Sequence, residues 1–401
     1  MGDDRVVAPA DGPAPVLLAV TGGIAAYRAC EVVRALVRAD VGVQVAMTRA
    51  ARRFVGETTF AGLSRRHVLT DDPVPGGPIY PHLDAARAAR VMAVAPCSAN
   101  TLARLAHGLA DDVVCESALA LAGRLVVAPA MNHRMWLHPA TQANVQTLVE
   151  RGALIVGPEE GQLAEGEEGP GRLAQPERIS QAIRMLLGSG SLTGKKVLVT
   201  AGGTREPLDG VRYIGNRSSG KMGVALADEA LARGAEVTTI LSNTQVRPLG
   251  GTQIDAPTAA DVAREAQAHA RDADIVLMAA AVADFRPVEA ADGKRPRTDA
   301  WDLRLEPTED VLAGIATERR PGQVIVGFAA ELGEDVERAR AKRERKGVDL
   351  VVLNDISQPG QGFDADDNAV VIVGETGEER LARASKPLIA SGILDRVELL
   401  A

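Results

Sequence analysis

Short aliphatic segments alternate with amphipathic segments along most of the chain, and this alternation predicts strands separated by helices. In the first half, such segments are bounded by Gly, Pro or Asn, which is typical of buried strands. The predicted strands are residues 16–20, 43–47, 91–95, 125–128 and 154–156. Between the first two, apolar residues recur at helical spacing from Ala26 to Val37. A strand, a helix and a second strand in this order predict a parallel sheet with right-handed crossovers.

The pattern restarts after a Gly/Ser-rich stretch at residues 188–194, which predicts a flexible joint. The strands predicted beyond it are residues 197–200, 236–241, 275–279, 324–328, 350–353 and 370–373. We therefore predict an α/β protein with two Rossmann-like domains and parallel sheets, at residues 16–187 and 188–401. Residues 1–15 are rich in Gly, Pro and Asp, and they predict a flexible N-terminal tail rather than a signal peptide.

Composition narrows the class of protein and its partners. The 401 residues exceed the roughly 150 residues of an ordinary domain, and the 24% charged residues are typical of a soluble globular protein. A net charge of -8 argues against a broad basic surface, so we expect no nucleic-acid partner. Three cysteines without a CxxC pair, and the lack of 18 consecutive apolar residues, lead us to expect a cytoplasmic protein with no membrane span.

Polar and glycine-rich motifs follow the predicted strands of the first half. TGGIAAY, from Thr21, is a strand-to-helix turn at which a ligand can approach the backbone, and a plain tight turn is the alternative. It is not a GxGxxG motif, so it does not indicate a dinucleotide. Ser98, Asn100 and Thr101 follow the third strand, where open α/β sheets bind ligands, although these residue types also cap helices.

Two side chains near these strands are candidates for chemistry. His82 lies in IYPHLD, shortly before the third strand, and a lone histidine is more often structural than catalytic. Asn132 lies in PAMNHRMW after the fourth strand, which places an amide at a strand's carboxyl end. Both remain open on the residues alone.

The second half carries a glycine-rich motif and a basic segment. The spacing from Gly215 to Lys221 imitates a P-loop, but Met222 replaces the hydroxyl that would hold magnesium, so we reject that motif. A Gly/Ser/Lys phosphate cradle is the prediction, and a plain glycine-rich loop is the alternative. Lys342 and Lys346 lie in the basic segment RARAKRERK, four residues apart on one helix face, which by itself is most simply solvated.

Together, five segments in this order resemble one family closely. The segments are TGGIAAY, PAMNHRMW, GGTREPLDGVRYIGNRSSGKMG, AAAVADF and NDIS…GF, within a resemblance that spans residues 15–400. The family is the bacterial bifunctional phosphopantothenoylcysteine decarboxylase/phosphopantothenate–cysteine ligase of coenzyme A synthesis. The resemblance implies an N-terminal FMN-binding flavoprotein domain and a C-terminal nucleotide-binding ligase domain.

For the decarboxylase, the resemblance implies oxidation of the substrate thiol to a thioaldehyde, which eases loss of the neighbouring carboxylate. His82 matches the family's histidine beside the flavin, and an imidazole can move a proton near neutral pH. Asn132 matches the asparagine that holds the substrate carboxylate through an uncharged amide. The implied FMN-binding residues are Gly22, Gly23, Thr48, Ser98, Asn100 and Thr101.

One segment departs from the family's pattern. In many relatives a mobile flap reads ACGxxGxGR, and its cysteine protonates the enethiol as reduced flavin returns a hydride. Residues 163–172 read LAEGEEGPGR, so Glu165 stands where the cysteine is expected. A glutamate can donate this proton if burial raises its pKa. Otherwise the decarboxylase half stops at the enethiol, as lantibiotic-type cysteine decarboxylases do, although those lack a fused ligase domain.

For the ligase, the resemblance implies that 4'-phosphopantothenate reacts with CTP to form an acyl-cytidylate, from which the amine of cysteine displaces CMP. Asn216 matches a residue tied to the acyl-cytidylate, Arg212 lies close by in the motif, and Asp284 is the candidate ligand for Mg2+. The implied nucleotide-binding residues are Ala280, Asp284, Lys294, Asp310, Val311, Leu312, Phe328, Lys342 and Lys346. Lys294 opens KRPR, where relatives have KIKK.

The resemblance also implies a homo-oligomer, with trimeric contacts of the flavin domain and dimeric contacts of the ligase domain. One alternative is a flavin-binding regulatory protein without turnover, against which His82 and Asn132 argue because a pure binder needs neither. A nicotinamide-dependent dehydrogenase is disfavoured because the chain lacks GxGxxG and its downstream acidic residue.

Overall fold

The computed structural model describes residues 13–72, 79–162, 166–188, 190–291, 293–294, 301–331, 333–355, 357 and 365–401. The chain divides into two compact units, Met1–Gly188 and Ser189–Ala401. Each unit contains a sheet with parallel strands and helices between them, so the predicted α/β fold class is confirmed.

The first unit alternates strands and helices before it ends in a short ribbon and a helix. Its strands are β1 Val16–Val20, β2 Val43–Met47, β3 Val91–Cys97, β4 Arg124–Pro129, β5 Leu154–Ile155, β6 Glu159–Gln162 and β7 Glu168–Arg172. Its α-helices are α1 Ala29–Arg38, α2 Glu57–Ser64, α3 Pro81–Ala88, α4 Ala99–His107, α5 Val113–Ala120, α6 His133–Leu137, α7 Pro139–Glu150 and α8 Pro176–Leu187.

The main sheet of this unit is parallel, with strand order β2-β1-β3-β4-β5. Every residue of β1 and β3 is buried, because helices cover both faces of a parallel sheet. Helix α1 packs through Val32, Val33 and Leu36, which lie on one face at helical spacing. From β1 the chain leads to β2 on one side and β3 on the other, and open α/β sheets bind ligands at such a reversal of strand order.

Strands β6 and β7 form an antiparallel ribbon that the hydrophobic pattern did not predict. Their sequences, EEGQ and EGPGR, contain no apolar alternation, so nothing in the pattern distinguishes them from a loop. The ribbon lies against the loop before α6, where the backbone N–H of Met131 donates a hydrogen bond of 3.0 Å to the carbonyl oxygen of Gly171.

The second unit repeats the alternation and adds two short ribbons. Its strands are β8 Lys196–Gly202, β9 Arg205–Pro207, β10 Tyr213–Gly215, β11 Glu236–Ser242, β12 Thr252–Asp255, β13 Ile275–Met278, β14 Phe285–Pro287, β15 Leu305–Pro307, β16 Val324–Glu331, β17 Leu350–Asp355, β18 Asp367–Val373 and β19 Glu378–Ser385. Its α-helices are α9 Lys221–Ala232, α10 Ala259–Ala270, α11 Val311–Thr317, α12 Val336–Lys346 and α13 Lys386–Glu398.

The main sheet of the second unit has strand order β12-β11-β8-β13-β16-β17-β18-β19. Pairing is parallel from β12 to β17, and β18 and β19 extend that edge as antiparallel strands. A short turn, closed by the backbone N–H of Gly374 and the carbonyl oxygen of Gly377, joins these last two strands. Two strands joined by so short a turn can only pair antiparallel. The reversal of strand order falls between β8 and β13.

The described α-helices are between 5 and 13 residues long. None of these helices is long and apolar enough to cross a membrane. The free thiols of Cys30, Cys97 and Cys115 all lie in the first unit.

Candidate active sites

A cavity of about 1250 Å³ lies at the carboxyl ends of β1 and β3, at the reversal of strand order. It exceeds the ~300–1,000 Å³ of an ordinary small-molecule pocket. The residues predicted from the sequence that line it are Gly22, Thr48, His82, Ser98, Asn100 and Thr101. Gly23 and Asn132 do not line this cavity, and Glu165 lies outside the described residues.

Thr21 connects the carboxyl ends of β1 and β3 beside this cavity. Its buried hydroxyl donates a hydrogen bond of 2.7 Å to the carbonyl oxygen of Pro96 and accepts one of 2.9 Å from the backbone N–H of Ser98. The Ser98 hydroxyl in turn caps α4 by accepting from the N–H of Thr101 at 3.4 Å. Ser98 is therefore an N-cap and a cavity residue at once.

Gly22 and Gly23, in the turn after β1, differ in the space around their backbone. A Cβ atom at Gly22 would lie 2.5 Å from the Cβ of Ala50, so the turn after β1 packs directly on the segment after β2. A Cβ atom at Gly23 would have no heavy atom within 4 Å. Gly22 is required by packing, whereas the backbone at Gly23 remains open to a ligand.

His82 lies in the first turn of α3 and faces a carboxylate from α5. Its Nδ1 atom is 3.3 Å from Oε2 of Glu116, and both residues line the cavity. An acceptor at Nδ1 favours the tautomer that carries its proton there, which leaves Nε2 able to accept a proton. Glu116 was not among the predicted site residues, because no short motif connects it with His82.

Asn132 caps α6 and binds a carboxylate of the chain itself. Its Oδ1 accepts a hydrogen bond of 2.8 Å from the N–H of Arg134, and its Nδ2 donates one of 3.0 Å to Oε2 of Glu167. The guanidinium of Arg134 lies 2.8 Å from Oε1 of Glu167, and Nδ1 of His133 lies 3.2 Å from Oε2. The hydrogen bond from Asn132, together with the charge of Arg134, lowers the pKa of the Glu167 carboxyl, so the group is ionised near neutral pH.

Neither buried thiol of the first unit is a candidate proton donor. Burial raises the pKa of Cys97, and burial and the nearby Asp112 raise the pKa of Cys115 to about 12. Neither residue lines the cavity at β1 and β3. Cys97 is therefore buried away from the wall that carries the predicted site residues.

In the second unit, a cavity of about 520 Å³ lies at the carboxyl ends of β13, β16 and β17. The predicted residues that line it are Asn216, Ala280, Asp284, Asp310, Val311, Leu312, Phe328, Lys342 and Lys346. Five segments far apart in sequence therefore meet here: the glycine-rich motif, the loop after β13, the start of α11, strand β16 and one face of α12.

Side chains from β8 and from the turn that follows it hold the loop after β13 in place. The hydroxyl of Thr200 accepts a hydrogen bond of 3.0 Å from the N–H of Ala280, and that of Thr204 accepts one of 2.9 Å from the N–H of Ala283. Asn216 completes the arrangement, because its Nδ2 donates to the carbonyl oxygen of Ala281 at 2.8 Å. Both threonines are buried, and neither was predicted as a site residue.

Lys342 and Lys346 form a positive end of this cavity. Nζ of Lys342 donates a hydrogen bond of 2.8 Å to the carbonyl oxygen of Phe328, and Lys346 forms an ion pair with Asp310. Burial, and then the charge of Lys346, lower the pKa of Lys342. Burial alone would raise the pKa of Asp310, but the hydrogen bonds from Lys346 and from the N–H of Ala313, together with the charges of the two lysines, lower it.

A second pair of lysines lies elsewhere on the cavity wall, and one of the pair is a residue that the sequence did not identify. Lys386, the first residue of α13, is only 4% exposed and lines the cavity. Lys221, the first residue of α9, also lines it, and its Nζ lies 2.8 Å from Oδ1 of Asp366. Lysine is rarely buried, so the buried position of Lys386 on the wall of this cavity is the feature that the structure adds.

Two predicted residues do not line this cavity. Arg212 lies between β9 and β10, where its Nε donates to Oδ2 of Asp209 at 2.9 Å and its guanidinium stacks 4.8 Å above the ring of Trp301. Lys294 is described but is absent from the cavity wall, and residues 295–297 lie outside the described part of the chain.

The described residues contain no group of three or more His, Cys, Asp or Glu side chains placed to hold a metal ion. The carboxylates on the wall of the second cavity are Asp284, Glu309 and Asp310. Magnesium commonly takes only one or two carboxylates and completes its shell with water and substrate phosphates. Asp284 can therefore contribute a ligand to a metal ion that arrives with a nucleotide.

Comparison with known proteins assigns each unit to a family. Residues 8–188 match the Flavoprotein family. Residues 192–400 match the family described as DNA/pantothenate metabolism flavoprotein C-terminal domain. A crystal structure of the C-terminal domain of a coenzyme A biosynthesis bifunctional protein CoaBC is 34% identical, covers 53% of this chain and 98% of that chain, and superposes with a TM-score of 0.46.

Complete relatives match both units in one alignment. The coenzyme A biosynthesis bifunctional protein CoaBC of Mycobacterium tuberculosis (strain ATCC 25618 / H37Rv) is 44% identical over 404 residues, which cover 96% of each chain. The protein of the same name from Bacillus subtilis (strain 168) is 42% identical over 394 residues, which cover 96% of this chain and 97% of that one. Identity at this level over nearly the whole length leaves one conclusion: the chain belongs to the CoaBC family of bifunctional coenzyme A biosynthesis proteins.

Proposed function

We propose that this chain converts 4'-phosphopantothenate to 4'-phosphopantetheine by CTP-dependent ligation of cysteine followed by FMN-dependent decarboxylation. The chain is a bifunctional enzyme of coenzyme A biosynthesis, with a decarboxylase and a ligase activity. The observation that carries the finer proposal is that each unit has a cavity, lined by the predicted residues, at the carboxyl ends of parallel strands of its own sheet. We assign the decarboxylase to residues 16–187 and the ligase to residues 188–401.

The residues around the first cavity fit FMN. The open backbone at Gly23 and the hydroxyls of Ser98 and Thr101 suit a phosphate, and the amide of Asn100 suits the polar edge of a flavin ring. We propose that Gly22, Gly23, Thr48, Ser98, Asn100 and Thr101 hold the cofactor. When bound, FMN supplies the two-electron oxidation of the substrate thiol and the later return of those electrons.

Three further side chains are proposed to act on the substrate, by proton transfer and by binding its carboxylate. His82, with its Nδ1 facing Glu116, accepts at Nε2 the proton that leaves the substrate thiol. Asn132 donates from Nδ2 to the substrate carboxylate and orients it for loss as CO2. Glu165, which stands in the place of the flap cysteine, is the proposed proton donor for the reductive step.

The second cavity suits a nucleoside triphosphate and its metal ion. We propose that Lys342 and Lys346 bind the triphosphate of CTP, since both ammonium groups lie on the cavity wall. Asp284 contributes a ligand to Mg2+ that bridges phosphate oxygens. The remaining proposed nucleotide contacts are Ala280, Lys294, Asp310, Val311, Leu312 and Phe328.

Ligation proceeds in two balanced steps. A carboxylate oxygen of 4'-phosphopantothenate attacks the α-phosphorus of CTP, and pyrophosphate leaves. The amine of cysteine then attacks the acyl carbon, CMP leaves and the amine releases a proton. We propose that Asn216 and Arg212 position the acyl-cytidylate. Asn216 is already fixed by the carbonyl oxygen of Ala281, whereas Arg212 must leave Asp209 to reach the cavity.

We further propose a cytoplasmic homo-oligomer, with trimeric contacts through the flavin unit and dimeric contacts through the ligase unit. The free thiols of the first unit suit a reducing compartment. The ribbons of the second unit expose Val211, Tyr213, Phe285 and Leu305, and such apolar side chains favour a protein contact.

Mass spectrometry of an anaerobic reaction with 4'-phosphopantothenate, cysteine, CTP and Mg2+ tests the proposal. We expect saturated 4'-phosphopantetheine, with CMP and pyrophosphate released in equal amounts. His82→Asn should stop the reaction at the cysteine conjugate, and Asn216→Ala should prevent that conjugate from forming.

Other products would point to the alternatives. A product two hydrogens lighter, accumulating with reduced flavin, would show that the decarboxylase half stops at the enethiol and that Glu165 is not a proton donor. A yellow protein without turnover in either half would indicate a regulatory flavin binder. Conjugation with ATP but not with CTP would overturn the assignment of the nucleotide.

A further inference from the structure

Glu167 forms, within the first unit, the contacts that a bound carboxylate would form with Asn132. Its Oε2 accepts the hydrogen bond from Nδ2 of Asn132 at 3.0 Å, and its Oε1 faces the guanidinium of Arg134 at 2.8 Å. Given the role proposed above for Asn132, on which this inference rests, we propose that Glu167 is a built-in competitor for the substrate carboxylate. The side chain thereby discriminates between the substrate of decarboxylation and its product.

The ribbon of β6 and β7 delivers Glu167 to this position. Glu167 directly precedes β7, which is fastened to the loop before α6 by the hydrogen bond from Met131 to Gly171. The fit is close, because a Cβ atom at Gly169 would lie 3.1 Å from the Cβ of His133. Glu167 is 36% exposed at its side chain, so it lies at the edge of the contact, where an incoming ligand can displace it.

Charge favours the same exchange. Glu167 is held ionised by Asn132 and Arg134, which makes it chemically equivalent to the carboxylate of a cysteine conjugate. Nδ2 of Asn132 carries two N–H groups, but two carboxylates within hydrogen-bonding distance of one nitrogen repel each other. The substrate carboxylate therefore competes with Glu167, whereas a product that has lost its carboxylate does not.

Direct consequences follow for affinity. When a side chain of the protein occupies the site, only a fraction of the molecules can bind the substrate. The apparent dissociation constant is the intrinsic constant divided by that fraction. Ion pairs this exposed are weak individually, so we expect the closed form to predominate only moderately and the penalty to be about three- to tenfold. The decarboxylated product avoids this penalty, because it does not compete for Asn132.

Binding to the FMN-loaded, full-length enzyme in a His82→Asn background tests the proposal without turnover. Phosphopantothenoylcysteine and 4'-phosphopantetheine are titrated calorimetrically against the background protein, against Glu167→Ala and against Glu168→Ala. Glu168 is the matched control, because it is the adjacent acidic residue and is exposed. We expect Glu167→Ala to bind phosphopantothenoylcysteine about three- to tenfold more tightly. The product's affinity should be unchanged, and Glu168→Ala should behave like the background.

Several outcomes separate this inference from simpler ones. Equal changes for substrate and product would show that Glu167 only fastens the ribbon, which overturns the proposal. Unchanged substrate binding in Glu167→Ala overturns it as well, provided that Asn132→Ala weakens that binding. If Asn132→Ala leaves substrate binding intact, the proposed role of Asn132 fails and the inference fails with it. Glu167→Gln keeps the hydrogen bond but loses the charge, so an intermediate gain is expected, and this variant also serves if the alanine variant does not fold.

Discussion

Oε2 of Glu116 lies 3.3 Å from Nδ1 of His82, which pairs a carboxylate of α5 with an imidazole of α3 at the wall of the cavity of the first unit. The pair resembles the arrangement in which a carboxylate fixes the tautomer and the orientation of a catalytic histidine. We propose that Glu116 acts through His82, which makes it a positioning residue.

Glu116→Gln should slow decarboxylation by roughly ten- to a hundredfold, because the amide can donate to Nδ1 and stabilise the wrong tautomer. The measurement is the rate of CO2 release from phosphopantothenoylcysteine over a range of pH, beside the rate of CMP release by the ligase. The ligase rate should not change. Asp84→Asn is the matched control, since Asp84 lies on the same helix as His82 and carries the same negative charge as Glu116. A pH profile identical to that of the wild type, with only a uniform loss of FMN content, would reduce Glu116 to a structural role.

Lys386→Met should weaken the binding of a phosphate-bearing substrate to the ligase cavity. Lys386 is 4% exposed at the cavity wall, and a hydrogen bond to a charged group contributes ~1.5–3 kcal/mol, so we expect about a ten- to hundredfold loss. Titrating CTP and 4'-phosphopantothenate separately shows which of them depends on this lysine. Lys196→Met is the control, because Lys196 is an exposed lysine of β8 that does not line the cavity. Equal affinities in all three proteins would assign Lys386 to packing alone.

Much of this architecture is predictable because apolar runs and polar strand ends are visible over a few consecutive residues of the sequence. Each predicted strand of the first unit overlaps an observed one, since runs such as Val16–Val20 are buried on both faces of a parallel sheet. Ser98 and Asn132 were identified because ligand-binding side chains follow strand ends. The edge strand β19 was not predicted, because its sequence EERLARAS is polar and its partner is supplied by the hairpin with β18.

The residues that were missed have in common that tertiary packing alone brings them to a site. Glu116 reaches His82 from another helix, and Lys386 reaches the ligase cavity from the start of the last one. Glu167 lies in the segment that resembles the family's flap. Its contact with Asn132 could not be predicted, because the ribbon of β6 and β7 has no apolar alternation in its sequence. Arg212 shows the converse, because a motif residue can lie outside the cavity that its neighbours line.

The affinity of the ligase for CTP should fall as the pH rises into the alkaline range. Burial and Lys346 lower the pKa of Lys342 in the free protein, whereas the negative charge of a bound triphosphate raises it. Between these two values, binding must take up a proton, so affinity is lost as pH rises above the lower one. Calorimetry in buffers of different ionisation enthalpy measures the uptake directly. Lys342→Gln should bind CTP more weakly at neutral pH and should show a reduced uptake, and an unaltered uptake would place the titrating group elsewhere.

Gly223→Ala should destabilise the ligase unit by about 1–3 kcal/mol, because the new methyl group overpacks the contact between α9 and β8. Its Cβ would lie 2.5 Å from the Cβ of Ala201 and 2.9 Å from the carbonyl oxygen of Thr200. Gly314→Ala is the matched control, since that helical position has no neighbour closer than 3.7 Å and alanine favours a helix by up to ~1 kcal/mol. Chemical unfolding of the full chain, followed through the transition that CTP stabilises, measures both changes. If Gly223→Ala unfolds like the wild type, α9 can move away from the sheet. Lys221 lies two residues before Gly223 and lines the cavity of this unit. The ligase rate would then show whether the glycine-rich motif moves with the helix.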